Sequence, residues 1–132
     1  MRLKCFKNKK GQSLVETALV LPILLLILTG IIDFGLLFNN YLVVSNASRE
    51  GARRAAVGST NTQITAVVHS VAASLDISKI TITITPDQAA NRSTGVSVAV
   101  EVKYEYSMIT PIIAAIVPGP FQLKTSTTMR CE

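Results

Sequence analysis

Tryptophan is absent and aromatic residues make up only 5% of the chain, so any folded part must rest on an aliphatic core. One histidine and eight acidic residues leave little for general acid–base chemistry. There is no glycine-rich phosphate loop, no serine–histidine–aspartate set and no Cys/His cluster. That pattern argues against nucleotide-binding, hydrolytic and zinc-centred functions, and no metal or cofactor is expected. His69 has no cysteine or acid at ligand spacing and reads as a surface or boundary residue. The two cysteines, Cys5 and Cys131, sit at the extremes of the chain. A membrane helix between them would put them in different compartments, so an intrachain disulfide is not expected. Cys5 lacks the preceding apolar stretch that a lipoprotein acceptor needs.

Charge is scarce as well, at 16% of residues, and unevenly placed. The formal net charge is +5, and Arg2, Lys4, Lys7, Lys9 and Lys10 all precede Gly11. Removing those five from the 13 basic residues leaves eight, against eight acids. From Gln12 onward the chain is formally neutral and offers little electrostatic grip on nucleic acid. The basic excess at one end is a topology signal.

What is abundant is apolar sequence, 48% of the 132 residues. Thr17 to Ile32 carries no charge; after Asp33 the run resumes through Phe38. Those 22 residues make roughly 33 Å of helix at about 1.5 Å per residue, enough to span a bilayer. Lysines crowd the N-terminal side, which is therefore expected in the cytoplasm, with the rest exported. The run is too long for a cleaved secretory signal, and the nearest small-x-small site, Ser45-Asn46-Ala47, lies well beyond it. Glu16 and Asp33 are unusual for a plain anchor, since an unpartnered acid at mid-bilayer costs about 2–3 kcal/mol. Interfacial positions would ease that cost, for Glu16 at the helix N-terminus and for Asp33 near the outer headgroups. Pro22 removes one helical hydrogen bond inside the run.

The residues around Gly11 resemble a known processing signal. Lys9-Lys10-Gly11-Gln12-Ser13-Leu14-Val15-Glu16 is similar to the leader junction of type IV prepilins. Two further blocks, Ile31-Ile32-Asp33-Phe34-Gly35 and Asn46-Ala47-Ser48-Arg49-Glu50-Gly51-Ala52-Arg53, resemble the TadE-like pseudopilins of tight-adherence (Flp-type) pili. Thr17 stands where prepilins usually carry an aromatic, and Leu36 where many relatives carry a base. The resemblance implies cleavage between Gly11 and Gln12 by a prepilin peptidase. It also implies that Glu16 faces the new N-terminal amine of a neighbouring subunit. By the same logic Asp33 would seek a partner in a helix bundle. Asp33, Phe34, Gly35, Arg49, Glu50, Gly51 and Arg53 carry the family pattern. The implied partners are the peptidase, the major pilin and other minor pilins, the inner-membrane assembly platform and lipid. An uncleaved single-pass scaffold of the assembly machinery is the alternative. The sequons at Asn46 and Asn91 are then incidental.

Beyond the membrane the helix is expected to continue to Val57. Ala47, Gly51 and Ala55 fall at i, i+4 and i+8, either a stripe for close approach of another helix or a plain alanine-rich face. The spacing of Ile64, Val67, Val68, Val71, Ala72 and Leu75 predicts an amphipathic helix over 61–75. Ile80–Thr85, Val96–Tyr106 and Phe121–Cys131 alternate as strands around a turn at 86–95. The expected fold is α+β: a long membrane and stalk helix, with a second helix covering a mostly antiparallel three-stranded sheet. The boundaries expected are leader 1–11, anchor and stalk 12–57, and head 58–132. Met108–Val117, closed by Pro118-Gly119-Pro120, is apolar but too short to span a bilayer. It is either a loop over the core or a surface for the membrane or another pilus component.

Overall fold

The computed structural model describes residues 9–116 and 119–132. Arg2, Lys4, Cys5 and Lys7 of the expected leader lie outside the described residues, as do Val117 and Pro118 of the apolar stretch. Helix α1 runs from Lys9 to Ala56, 48 residues, about 72 Å at about 1.5 Å per residue. It passes through Pro22. It begins earlier than expected, so that Gly11 and Gln12 are already helical. Its end follows from Gly58, whose φ of +82° only glycine adopts cheaply. There the Gly58 amide bonds the Ala55 carbonyl at 3.2 Å and the Ser59 amide bonds the Arg54 carbonyl at 3.2 Å, a Schellman closure.

Helix α2, Asn61–Val71, starts shortly afterwards under a capping box. The Gln63 side chain accepts from the Thr60 amide at 3.0 Å, and the Thr60 hydroxyl accepts from the Gln63 amide at 3.4 Å. It stops short of the expected Leu75, because the chain must turn there. Leu75 folds inward, and Asp76 caps a 3-10 turn over Ile77–Lys79. Strands β1 (Ile80–Thr85), β2 (Ser97–Tyr106) and β3 (Phe121–Arg130) form one antiparallel sheet with β2 in the middle. Ile82 faces Val102, Val98 faces Met129 and Tyr106 faces Phe121, so the apolar sets share one side. On the other side Glu101 meets Lys124 at 3.0 Å and Lys103 at 3.1 Å, and these bonds hold its carboxyl below the usual glutamate range. The expected α+β arrangement of a long helix, a short helix and a three-stranded antiparallel sheet is the one observed.

The cover of the sheet differs in detail from the expectation. The C-terminal half of α1 supplies most of it, lying across β2 and β3, while α2 packs along α1 beside them. Val44, Ala47, Ala52 and Ala55 of α1 are fully buried together with Ile64 and Val68 of α2 and Val98, Val100 and Val102 of β2. The second half of α1 is therefore part of the head's core. Its periodicity looks weak from sequence because small residues line the face that meets the sheet.

The Met108–Val117 stretch contains a short helix, α3, Pro111–Ile116. Pro111 begins it, as proline does well at a first helical position, and the Ala114 amide bonds the Thr110 carbonyl at 3.0 Å. α3 lies against α1 rather than over the core: a Cβ on Gly30 would stand 3.7 Å from Ile113 Cδ1.

Candidate functional site

The N-terminal half of α1 is the part of the molecule that the chain leaves uncovered. From Leu14 to Ile32 its large side chains are exposed, Leu14 by 71% and Ile31 by 65%, and the segment is long and apolar enough to cross a membrane. Gly11 has open space around the position of a Cβ. One turn on, Glu16 is exposed and accepts from Gln12 Nε2 at 3.4 Å. The residue that cleavage would make terminal is thus already aligned with the carboxylate four positions away. The Thr17 hydroxyl donates to the Ser13 carbonyl at 2.9 Å and so hides its polarity within the helix.

Asp33 has a different setting. It is only 2% exposed, and its carboxylate accepts from the Thr110 amide at 3.3 Å. The partner the structure gives it thus lies in its own head. The buried Tyr106 hydroxyl has no hydrogen-bond partner among the described residues. Burial, then the charge of Asp33, pushes the Tyr106 pKa above its ordinary value. The neutral phenol is the form the fold prefers. That contribution is complete below the unfolded value near 10 and is lost as pH rises through the raised folded value. Tyr106→Phe deletes an unpaired hydroxyl, whose burial costs about 1–3 kcal/mol. The variant is expected to be at least as stable as the parent at neutral pH and to lose less on raising the pH to about 11. Denaturant unfolding at both pH values measures this, and equal alkaline losses in the two proteins would contradict it.

The structure divides the other pattern residues by direction. Gly51 points inward, where a Cβ would meet Val68 Cγ2 at 2.8 Å and Val100 Cγ1 at 3.1 Å. Ala47 and Ala55 are fully buried on the same stripe. The close approach that these small residues permit is made by the chain's own α2 and β2. Phe34, Gly35, Arg49 and Arg53 point outward, and Glu50 pairs with Arg54 at 3.6 Å. Arg49, Arg53 and Arg54 edge a groove of about 590 Å³ that Val67, Ser70 and Met129 also line. His69 is half-buried in the last turn of α2. Cys131 is buried as a free thiol.

Two buried polar residues have structural roles that sequence reasoning missed. The Ser48 hydroxyl donates to the Val100 carbonyl at 2.8 Å and lies 2.9 Å from Thr127 Oγ1, tying α1 to β2 and β3. Its position, one turn from Val44 and Gly51 on the inner stripe, was the available signal. Arg92 donates to the Pro86 carbonyl from Nε at 3.1 Å and to the Ser59 carbonyl at 3.2 Å. It also bonds the Asn61 side chain, which joins the β1–β2 turn to the start of α2. An arginine in a polar turn gives no such signal from sequence.

The family model of TadE-like proteins matches residues 11–53. That match begins at Gly11 and takes in Glu16, the uncovered apolar segment, Asp33-Phe34-Gly35 and the block ending at Arg53. Comparison with curated proteins and with solved structures gives no match.

Proposed function

Taking the TadE-like match as premise, we propose that the chain is a minor pilin or pseudopilin of a tight-adherence pilus, cut by a prepilin peptidase between Gly11 and Gln12. The observation that carries this reading is that the N-terminal half of the matched segment presents an apolar helix surface left uncovered among the described residues. A long apolar helix and a pilus-associated family fit a membrane-anchored protein. The leader 1–11 faces the cytoplasm, residues 12–57 anchor and connect, and the head of residues 58–132 is exported. The protein works as a structural component, through helix packing with the major pilin and other minor pilins on the assembly platform. The outward residues Phe34, Arg49 and Arg53 are the ones available for those contacts.

Glu16 is the assembly carboxylate in this scheme. Cleavage creates a cationic amine on Gln12, and pairing with a neighbour's amine offsets the cost of an acid in lipid, about 2–3 kcal/mol when alone. Glu16→Leu removes the lipid cost and the pairing together. The variant is expected to be cut normally and to stay in the membrane, while its recovery in sheared filaments falls to background. Fractionation with immunoblotting of both pools measures this, and wild-type recovery in filaments would overturn the role of Glu16.

One observation favours the uncleaved scaffold as the second reading. The Gly11–Gln12 bond lies inside α1, whereas a peptidase needs it extended. Glycine lowers the cost of opening that turn, by about 1 kcal/mol relative to alanine. The mature N-terminus separates the two readings.

A further inference from the structure

We propose that the first part of the β2–β3 connection, residues 107–116 with α3, is an interfacial membrane element that lies in the headgroup–acyl boundary of the outer leaflet against α1. The inference rests on α1 being the membrane anchor and goes beyond the pilin reading. The connection leaves the sheet at the Tyr106–Phe121 pair, at the end of the sheet that points down α1. From Ser107 to Pro120 it carries no charged residue. Ile109 is 68% exposed and Ile116 67%, a costly pair of apolar surfaces if the loop stood in water. The occupant is identified by continuity. Ile113 Cδ1 stands 3.7 Å from where a Cβ on Gly30 would lie, and Ile31 and Phe34, within one turn of Gly30 on the anchor, are exposed as well.

The depth is consistent. Twenty residues separate Ser13 from Asp33, about 30 Å at about 1.5 Å per residue, which matches the hydrocarbon core of a bilayer. Gly30 and Asp33 then stand at the outer boundary, where α3 reaches α1. The Ala114 amide bonds the Thr110 carbonyl, and the end groups that so short a helix leaves over suit the hydrated headgroup boundary and not the dry hydrocarbon core. Interfacial elements sink roughly 5–10 Å into this zone. The polar surface resumes just above, with Asn39 and Asn40 on α1 and the exposed Glu105 and Lys124 on the sheet. Asp33 is shielded from the lipid by this element, its carboxylate held on the Thr110 amide at 3.3 Å. The fold thus sets how deep the head sits, instead of leaving it free on a stalk.

The absence of tryptophan makes a direct test possible. Full-length Ile109→Trp and Ile116→Trp, both at exposed positions, are reconstituted separately into phosphatidylcholine vesicles with or without bromines on carbons near the top of the acyl chains. Leu28→Trp reports the anchor, and Val57→Trp, at the far end of α1, reports water. The expected result is blue-shifted emission from the Ile109→Trp and Ile116→Trp variants, lost in brominated vesicles and protected from iodide, with the Val57→Trp variant behaving oppositely. Red-shifted, iodide-quenched emission at both loop positions with Leu28→Trp still quenched by bromolipid overturns the inference while leaving the anchor intact. Blue-shifted emission indifferent to bromolipid also overturns it, because protein and not lipid then covers the loop. Failure of Leu28→Trp to respond removes the anchor reading itself.

Discussion

Gly11→Ala is expected to leave the chain at its full length in the presence of the prepilin peptidase, with all five leader bases attached. The expected effect is all-or-none on a gel, since the proposed cut would remove residues 1–11 from the parent. Two physical reasons converge. The prepilin resemblance makes glycine the residue before the cut, and alanine adds a side chain there. The alanine also strengthens the helix across that bond by about 1 kcal/mol, which opposes the local unwinding that cleavage requires. The substitution is clean, because no described residue lies within 4 Å of the added Cβ. Misfolding of the head therefore cannot produce the result, and unchanged burial of Cys131 against thiol reagents, in a Cys5→Ser background, confirms it. Processing at the parental rate would sink the assignment of Gly11.

Gly51→Leu is expected to separate α1 from the head. The added side chain enters a space where Val68 Cγ2 and Val100 Cγ1 already stand at 2.8 and 3.1 Å from the Cβ position. Both valines are fully buried and β-branched, so neither can rotate away cheaply. Even Gly51→Ala meets this obstacle. Overpacking costs about 1–3 kcal/mol, set against a gain of about 1 kcal/mol in helix propensity, for a net loss of up to about 2 kcal/mol. Leucine exceeds that and displaces α2 or β2, which places the loss above about 3 kcal/mol. Gly35→Ala is the matched control: its Cβ position is open, so stability holds or rises by up to about 1 kcal/mol. Thermal unfolding in detergent and thiol labelling of Cys131 read both variants. A Gly51→Leu protein as stable as the parent would contradict the close approach.

The strands and α2 were legible because their patterns are periodic, and the first half of α1 because its apolar run is long. Ile80–Thr85 alternates without interruption, and β2 carries valines and tyrosines at every second position. The Gly11–Glu16 spacing stands in the sequence as the basis of the proposed cleavage site. What stayed hidden depends on tertiary contacts. The Ala47, Gly51 and Ala55 stripe has the composition of an intermolecular helix contact, and only the fold shows that α2 and β2 occupy it. Asp33 looked like an acid in search of a neighbour until the β2–β3 connection brought the Thr110 amide to it over 77 positions of sequence. Within the apolar Met108–Val117 stretch, Pro111 stands at the first position of a short helix, where proline is favourable. Thr125 and Thr127 face inward among apolar residues of β3, where a polar type conceals the strand's inner face.

N-terminal sequencing and intact mass of the wild-type protein, recovered from sheared pili and from membranes in parallel, test the central claim most directly. A structural pilus subunit is expected to begin at Gln12 and to be present in the sheared fraction. A protein that begins at Met1 and remains wholly with the membrane would contradict that claim and establish the uncleaved scaffold in its place.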